Sequence, residues 1–345
     1  MLEVVKLEQK NRWDEIVRSF RDYDVYYLNC YLKSLFINGD GIPLLFYYEG
    51  DGLRGINVVL KRDVSFDARF EGKIEPGKYF DFTTPYGYGG WIMEGEGDRK
   101  KLFAEYGKWC LENSIICEFV RFHPLIGNQR YCIDDYNVIP LGQVIALDLR
   151  DKNVMWANMS SRNRNKIKKA MNFGVSVSMG QKEKLDEFIE IYEDTMDRDN
   201  AEEYYYFKRE YYDCLFDELG DDEIYIFNSE LDGKMLSNCI IFKVNGRLSY
   251  HLAGSTRTSG NIYETNLLIY QVGLWGNENN CVSLILGGGV GSAEDNLYRF
   301  KKGFDDKHSY QFYIGKKMYN QQTYDYLVSL RDDIANMNYF PAYRG

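Results

Sequence analysis

With 345 residues, 45% of them hydrophobic, the chain can fill two domains of ordinary size, and 16% aromatic residues with only 6 prolines exclude long disorder. A formal net charge of −10 excludes a generic nucleic-acid binder, so any polyanion has to be met by a local basic patch. The 7 cysteines contain no Cys-x-x-Cys pair and sit mostly in apolar context, as expected of reduced core thiols in a cytoplasmic protein. The first residues, MLEVVKLEQKNRW, carry Glu3 and Glu8 and lack a signal-peptide core. No apolar run reaches the ~18–20 residues that span a bilayer. A soluble protein is expected, with peripheral membrane contact left open.

In chain order, residues 9–21 predict a helix with Trp13, Ile16, Val17 and Phe20 on one face. After a second apolar segment, two strand-like runs flank Gly50-Asp51-Gly52, a strong hairpin signal. The run KYFDFTTPYGYGGWIM predicts a strand that leads into a glycine-aromatic loop, and a helix near 98–114 and a strand near 115–124 follow. A second unit begins near Gly142: a strand, a long helix over 153–173, a short strand and two more helices. A three-strand meander then turns at Asp232-Gly233 and Asn245-Gly246, both type I′ signals. A helix near 261–277, a glycine-rich strand–helix corner, a last strand and a helix over 321–337 close the chain.

The two halves repeat one theme of helices, strand meander, helix and strand. This argues for a mixed α/β (α+β) fold built twice, with domains at 1–141 and 142–345, and against a Rossmann sheet. Two stretches carry chemistry. In VSLILGGGVGSAEDNLYRFKKGF (282–304), Gly287, Gly288, Gly289 and Gly291 follow a buried strand, and Ser292 is a plausible N-cap with Asp295 three residues on. This is either an anion-binding helix start or a tight β–α turn. The second stretch, 162–169, gathers Arg162, Arg164, Lys166, Lys168 and Lys169 in an acidic chain, with 162, 166 and 169 on one helical face. It either holds a phosphate, with Arg162 and Arg164 ahead of the lysines, or is an ordinary charged face.

YHLAGS at 250–255, LGGGVG and DNLYRFKKGF in the glycine corner, and SSRNRNKIKKAMNFGVSV at 160–177 resemble the Fem-type acyltransferases of the GNAT superfamily. PYGYGGW at 85–91 is similar to a first-domain loop of a related subgroup, so the resemblance spans about residues 80–315. It implies two tandem GNAT-like acyltransferase domains, with the acceptor on the first domain or between the two and the donor and chemistry on the second. It further implies transfer of an aminoacyl or other acyl group to an amine of a cell-envelope precursor, a peptidoglycan or polysaccharide intermediate carrying phosphate. The implied donor is aminoacyl-tRNA or an acyl-CoA, with no permanently bound cofactor. tRNA is thus an implied partner and DNA is not.

Acyl transfer to an amine needs a neutral nucleophile, an exit for its proton and stabilisation of the oxyanion. No Ser-His-Asp or Cys-His arrangement is legible, and direct attack needs none. The family's Phe-Lys pair falls on Phe300 and Lys301. Lys301 would stabilise developing charge or hold a phosphate, the alternative being a solvated surface lysine. Phe300 would fix the groove. His251, beside Tyr250 on the last meander strand, is either a general base or a hydrogen-bonded core histidine. Tyr86 and Tyr88 would line an acceptor groove or a structural turn. Asp81 would orient or deprotonate the acceptor amine, or serve as a turn carboxylate. Gly288 and Gly289, with Arg257 and Gly260, would contact the donor, although Arg257-x-x-Gly260-x-Ile262 matches the acyl-CoA signature only in part. His123, His251 and His308 lack metal-ligand spacing. Two alternatives stay open: an acyl-CoA-dependent N-acetyltransferase acting on a small amine or amino sugar, and a catalytically silent protein that binds a glycan precursor.

Overall fold

A computed structural model describes residues 1–257, 261–331, 334, 336 and 339–345. The chain folds into two compact units, Met1–Leu141 with Phe312–Gly345, and Gly142–Gln311. The sequence-based boundary had put 312–345 in the second unit. That segment packs with the first instead, because its strand pairs there and its side chains complete a buried ion cluster described below.

The first unit holds β1 (Leu2–Lys6), β2 (Ile42–Gly50), β3 (Leu53–Asp63), β4 (Phe80–Thr83), β5 (Ile92–Gly95) and β6 (Ile115–Arg121). Their order is β1-β2-β3-β4-β6, with β5 also on β3. The Asp51-Gly52 turn joins β2 to β3 with both residues at positive φ, 53° and 77°, as the dipeptide predicts. Strand β1 is an edge strand too short to read from alternation. Helix α1 (Lys10–Arg18) and helix α2 (Asn29–Asn38) precede β2. Helix α3 (Arg99–Glu112) buries Leu102, Phe103, Tyr106 and Cys110 in the same cluster as Phe46 and Phe82.

The second unit contains the end of β7 (Asn137–Asp148), then α4 (Lys152–Asn158), α5 (Ser161–Asn172), β8 (Ser176–Gly180), α6 (Leu185–Arg198) and α7 (Arg209–Glu218). The meander β9 (Ile224–Leu231), β10 (Lys234–Val244) and β11 (Arg247–Ser255) follows, then α8 (Glu264–Glu278), β12 (Ser283–Gly287) and α9 (Asn296–Lys302). The order β7-β12-β11-β10-β9-β8 is antiparallel except for parallel β11–β12. One face of this sheet carries a core of Leu147, Met155, Ile167, Leu268, Val272, Leu284 and Phe304, drawn from α4, α5, α8 and the chain after α9.

Strand β13 (Tyr310–Met318) pairs with β6 from Ile314 to Met318, and α10 (Gln321–Ser329) follows it. The fold is thus mixed α/β in two compact units, as the sequence reading expects. All 7 cysteines are buried free thiols. Among the described residues, no helix is long and apolar enough to cross a membrane.

Candidate functional site

The long helix expected over 153–173 is broken in two. Asp151 caps α4 by accepting from the N–H groups of Asn153 and Val154, and Ser160 Oγ accepts from Asn163 N at 3.2 Å to start α5 afresh. The break gives α5 a free N-terminus in a basic stretch. Helix α9 also starts later than expected. Ser292 lies at φ 66° and is not the cap. Asp295 is, its Oδ1 accepting from Tyr298 N at 2.8 Å while Oδ2 accepts from Val290 N at 3.0 Å. Those backbone bonds hold the Asp295 carboxyl below its ordinary range.

This cap closes the glycine corner on itself. A Cβ on Gly289 would fall 2.1 Å from the carbonyl oxygen of Ala293, and one on Gly288 would fall 2.9 Å from that of Gln143. These glycines therefore admit neighbouring backbone. The expected open anion cradle of Gly288 and Gly289 is not formed, and α9, with seven residues, is too short to supply one.

The corner instead positions a lysine. Lys301 in the last turn of α9 donates from Nζ to the carbonyl oxygen of Gly288 at 2.8 Å. A Cβ on Gly287, at φ 82°, would stand 3.3 Å from that Nζ. Burial lowers the Lys301 pKa to about 8, against a smaller upward pull from Asp295. Next to it, Phe300 packs on the core and meets Phe304 edge-on, with ring centroids 5.4 Å apart. Beside this corner β11 and β12 pair only from Arg247–Ser249 to Ser283–Ile285. Beyond that, Gly287 pairs with Ile145 of β7, so the two parallel strands part.

A cleft of about 300 Å³ opens between the first turns of α5 and α8 and helix α9, lined by Ser160, Arg162, Asn163, Lys166, Asn266, Asn296, Arg299, Phe300 and Gly303. Arg162, Lys166 and Arg299 give it three cations, and among the described residues no carboxylate lines it. Lys166 lies 5.3 Å from the Tyr263 ring centroid, and its pKa is lowered by burial and by Arg162. In the floor, Asn266 Nδ2 donates to Asn163 Oδ1 at 2.7 Å, leaving buried Asn163 Nδ2 without a partner. A buried amide donor left unpaired costs roughly 1–3 kcal/mol, so the floor holds an unused donor.

Several expected site residues are placed elsewhere. Arg164 does not join Arg162. Its guanidinium caps the C-terminus of α4, donating to the carbonyl oxygens of Trp156, Ala157 and Met159, and to Ser161 Oγ at 3.2 Å. His251 points to the opposite sheet face from Tyr250, because successive strand residues alternate. It meets Tyr211 Oη at 2.7 Å and the Phe242 ring at 4.6 Å, and burial drops its pKa to about 3. It is a neutral core histidine, whereas Tyr250 packs on the cluster that includes Phe300. Arg257 is exposed, and Gly260 lies outside the described residues.

In the first unit Asp81 is fully buried, with Arg62 Nε at 2.7 Å, Arg344 Nε at 2.6 Å and Tyr343 Oη at 2.9 Å. Although burial alone would raise its pKa, Arg62 and Arg344 hold it below the usual carboxylate range, which makes it a poor base for an amine proton. Tyr88 is buried against Tyr26 and His123, with ring centroids 5.3 and 5.1 Å away, and burial raises its pKa. Tyr31 Oη donates to the carbonyl oxygen of Tyr86 at 2.6 Å, and a Cβ on Gly87 would lie 2.3 Å from the Tyr26 ring. The loop is held as a structural turn, with the Tyr86 side chain partly exposed. His123 bonds Asp24 and His308 bonds Asp305, so the three histidines serve three separate contacts. Arg299, Asn163 and Asn266 were not singled out in the sequence. The asparagine pair carries no local signal, since its members are 103 residues apart. Arg299 stood in the quoted DNLYRFKKGF run, in the residue before Phe300.

The parallel strands β11 and β12 thus part in a mixed sheet, with Lys301 at the turn beyond. Residues 137–245 match the FemAB family model, a span that includes α5 and its basic residues and ends before α9. The structure of FemX shares the fold at a TM-score of 0.68 and 14% identity, covering 94% of this chain and 99% of that one. A conserved protein of unknown function from Bacteroides thetaiotaomicron VPI-5482 follows at 0.57 and 10%, covering 92% and 99%. L-PGS from Bacillus licheniformis is similar at 0.52 and 13%, covering 87% and 89%. No curated protein matches the sequence. The expected resemblance to the Fem-type acyltransferases thus agrees with the family match over 137–245 and with the fold shared with FemX.

Proposed function

We propose that this protein is a Fem-like acyltransferase that moves an aminoacyl group onto an amine of a phosphate-bearing cell-envelope precursor. The observation that carries this reading is Lys301, a partly buried cation fixed on the Gly288 carbonyl beside the parted strands. A cation in a desolvated place stabilises a developing oxyanion far more than one in water. The substrate amine attacks the donor carbonyl directly. Its nitrogen forms the new bond, Lys301 stabilises the oxyanion, and the donor oxygen or sulfur leaves with the electron pair of the broken bond. The amine proton passes to solvent or to the leaving group. Neither His251 nor Asp81 takes part. Arg162 and Lys166 hold the substrate phosphate.

Of the two donors that the resemblance implies, we propose the aminoacyl group carried on tRNA. The acyl-CoA alternative rests on the exposed Arg257 at the start of the partial CoA signature. Titration of the full chain with charged tRNA and with acetyl-CoA tests the choice. Transfer that depends on charged tRNA and is indifferent to acetyl-CoA is the expected result. Saturable acetyl-CoA binding lost in Arg257→Gln would replace it with the N-acetyltransferase reading. Binding of an envelope precursor with no transfer from either donor would favour a silent binding protein.

A further inference from the structure

One carboxylate joins the glycine corner and helix α9 into a closed ring. Asp295 Oδ1 accepts from Tyr298 N at 2.8 Å and starts α9, while Oδ2 accepts from Val290 N at 3.0 Å and grips the turn. That N–H belongs to the peptide directly after the one whose carbonyl oxygen, on Gly288, accepts from Lys301 Nζ at 2.8 Å. Two turn bonds, Ser292 N to Gly289 O at 3.2 Å and Ala293 N to Val290 O at 3.1 Å, keep the loop between them tight. A Cβ on Gly289 would fall 2.4 Å from Asp295 Oδ1, so the turn is shaped to receive this carboxylate. A helix of seven residues is marginal on its own, so whatever ties its start to the turn also fixes where its last turn lies. Both Asp295 oxygens are occupied by backbone N–H groups. Asp295 therefore reaches Lys301 through the turn and through its charge, not by contact. The neighbours of the lysine's anchor, Gly287 of β12 and Gln143 of β7, are uncharged.

We propose that Asp295 is a positioning residue for the transfer, clamping the Gly288–Val290 turn to α9 so that the Lys301 ammonium is held at one point beside the parted strands. The proposal rests on the Lys301 chemistry of the reading above and deepens it. Only a carboxylate accepts from both N–H groups at once. An asparagine amide caps a helix about as well, but it has a single acceptor oxygen and turns its NH2 toward the second N–H.

Asp295→Asn in the full chain separates the clamp from the cap, and two readouts apply. In the first, protein carrying 13C at lysine Cε is titrated by NMR, the Lys301 signal being the one absent from Lys301→Met. In Asp295→Asn that signal should move, and its titration midpoint should fall from the native value of about 8, because the upward pull of Asp295 is gone. In the second, transfer from charged tRNA to a UDP-linked muropeptide should lose about tenfold in kcat, with KM held within about twofold. Asp151→Asn makes the same exchange at the cap of α4 and should alter neither readout. An unmoved Lys301 signal in Asp295→Asn, or an equal change in Asp151→Asn, would overturn the proposal. Native kcat in Asp295→Asn beside a slow Lys301→Met would overturn the positioning role alone, whereas native-rate transfer by Lys301→Met would overturn the reading on which it rests.

Discussion

At the scale of the residue, Lys301 trades stability for charge placement. Its folded pKa, about 8, lies below the ordinary 10.5 because the charged form is desolvated. Folding therefore pays the full penalty of burying that charge below about pH 8, and the penalty is relieved as pH rises toward the unfolded value. Lys301→Met should accordingly melt a few degrees higher than the native chain near pH 7, with the gap closing between about pH 8 and 10.5. Differential scanning calorimetry across that range measures it, and a variant that melts lower at pH 7 would show that Lys301 is a structural residue. The same chemistry gives activity a sign. A catalytic cation is lost as pH rises through about 8, so the rate at saturating substrate should fall there. Phe300 and Lys301 were legible from the sequence because they lie together in a recognisable run. The status of His251 was not, because a strand residue's face depends on the register of the whole sheet.

At the scale of the element, the break between α4 and α5 decides what the basic stretch does. Arg162 and Arg164 are two residues apart and face different surroundings, the first the cleft and the second the spent end of α4. Arg164→Ala should cost about 1 kcal/mol in urea unfolding through loss of that cap, and should leave affinity for the envelope precursor unchanged. Arg162→Ala should do the reverse. Equal effects of the two on affinity would mean that α5 acts as one undivided charged face. The signal for the break, Ser160, stood in the sequence. The helical periodicity running across that residue hid the break, as hydrophobic spacing survives a two-residue interruption. The hairpins at Asp51-Gly52, Asp232-Gly233 and Asn245-Gly246 were legible because each needs two consecutive positive φ angles, which those dipeptides provide. The cap of α9 was misassigned to Ser292 because both Ser292 and Asp295 suit the position, and only the fold of the glycine turn chooses between them.

At the scale of the whole molecule, Phe312–Gly345 belongs with the first 141 residues through contacts that local sequence cannot reveal. Strand β13 lies on β6. Tyr319 Oη donates at 2.7 Å to the buried Glu118, which Tyr106 and Tyr136 also serve at 3.1 and 2.9 Å. Tyr343 and Arg344 close on Asp81. Asp81→Asn would leave Arg62 and Arg344 without their shared anion and should cost about 3–5 kcal/mol in unfolding free energy. Because its folded pKa is lowered, the stabilisation by Asp81 is present above the ordinary carboxylate value and is lost as pH falls below it. A denaturation midpoint unchanged in Asp81→Asn at pH 7 would contradict this tether and reopen Asp81 as an acceptor-facing group. The mixed architecture and the two-unit theme were legible from element order, since each half repeats its own local pattern. Residues that return to a distant partner were not.

Acyl transfer itself offers the most direct measurement. Label carried from charged tRNA to a UDP-linked muropeptide amine should be compared between the native chain and Lys301→Met, both confirmed folded by calorimetry. The expected result is tRNA-dependent transfer by the native chain and a loss of about 10²-fold or more in the variant. Transfer at the native rate by Lys301→Met would contradict the assignment of the chemistry to the glycine corner.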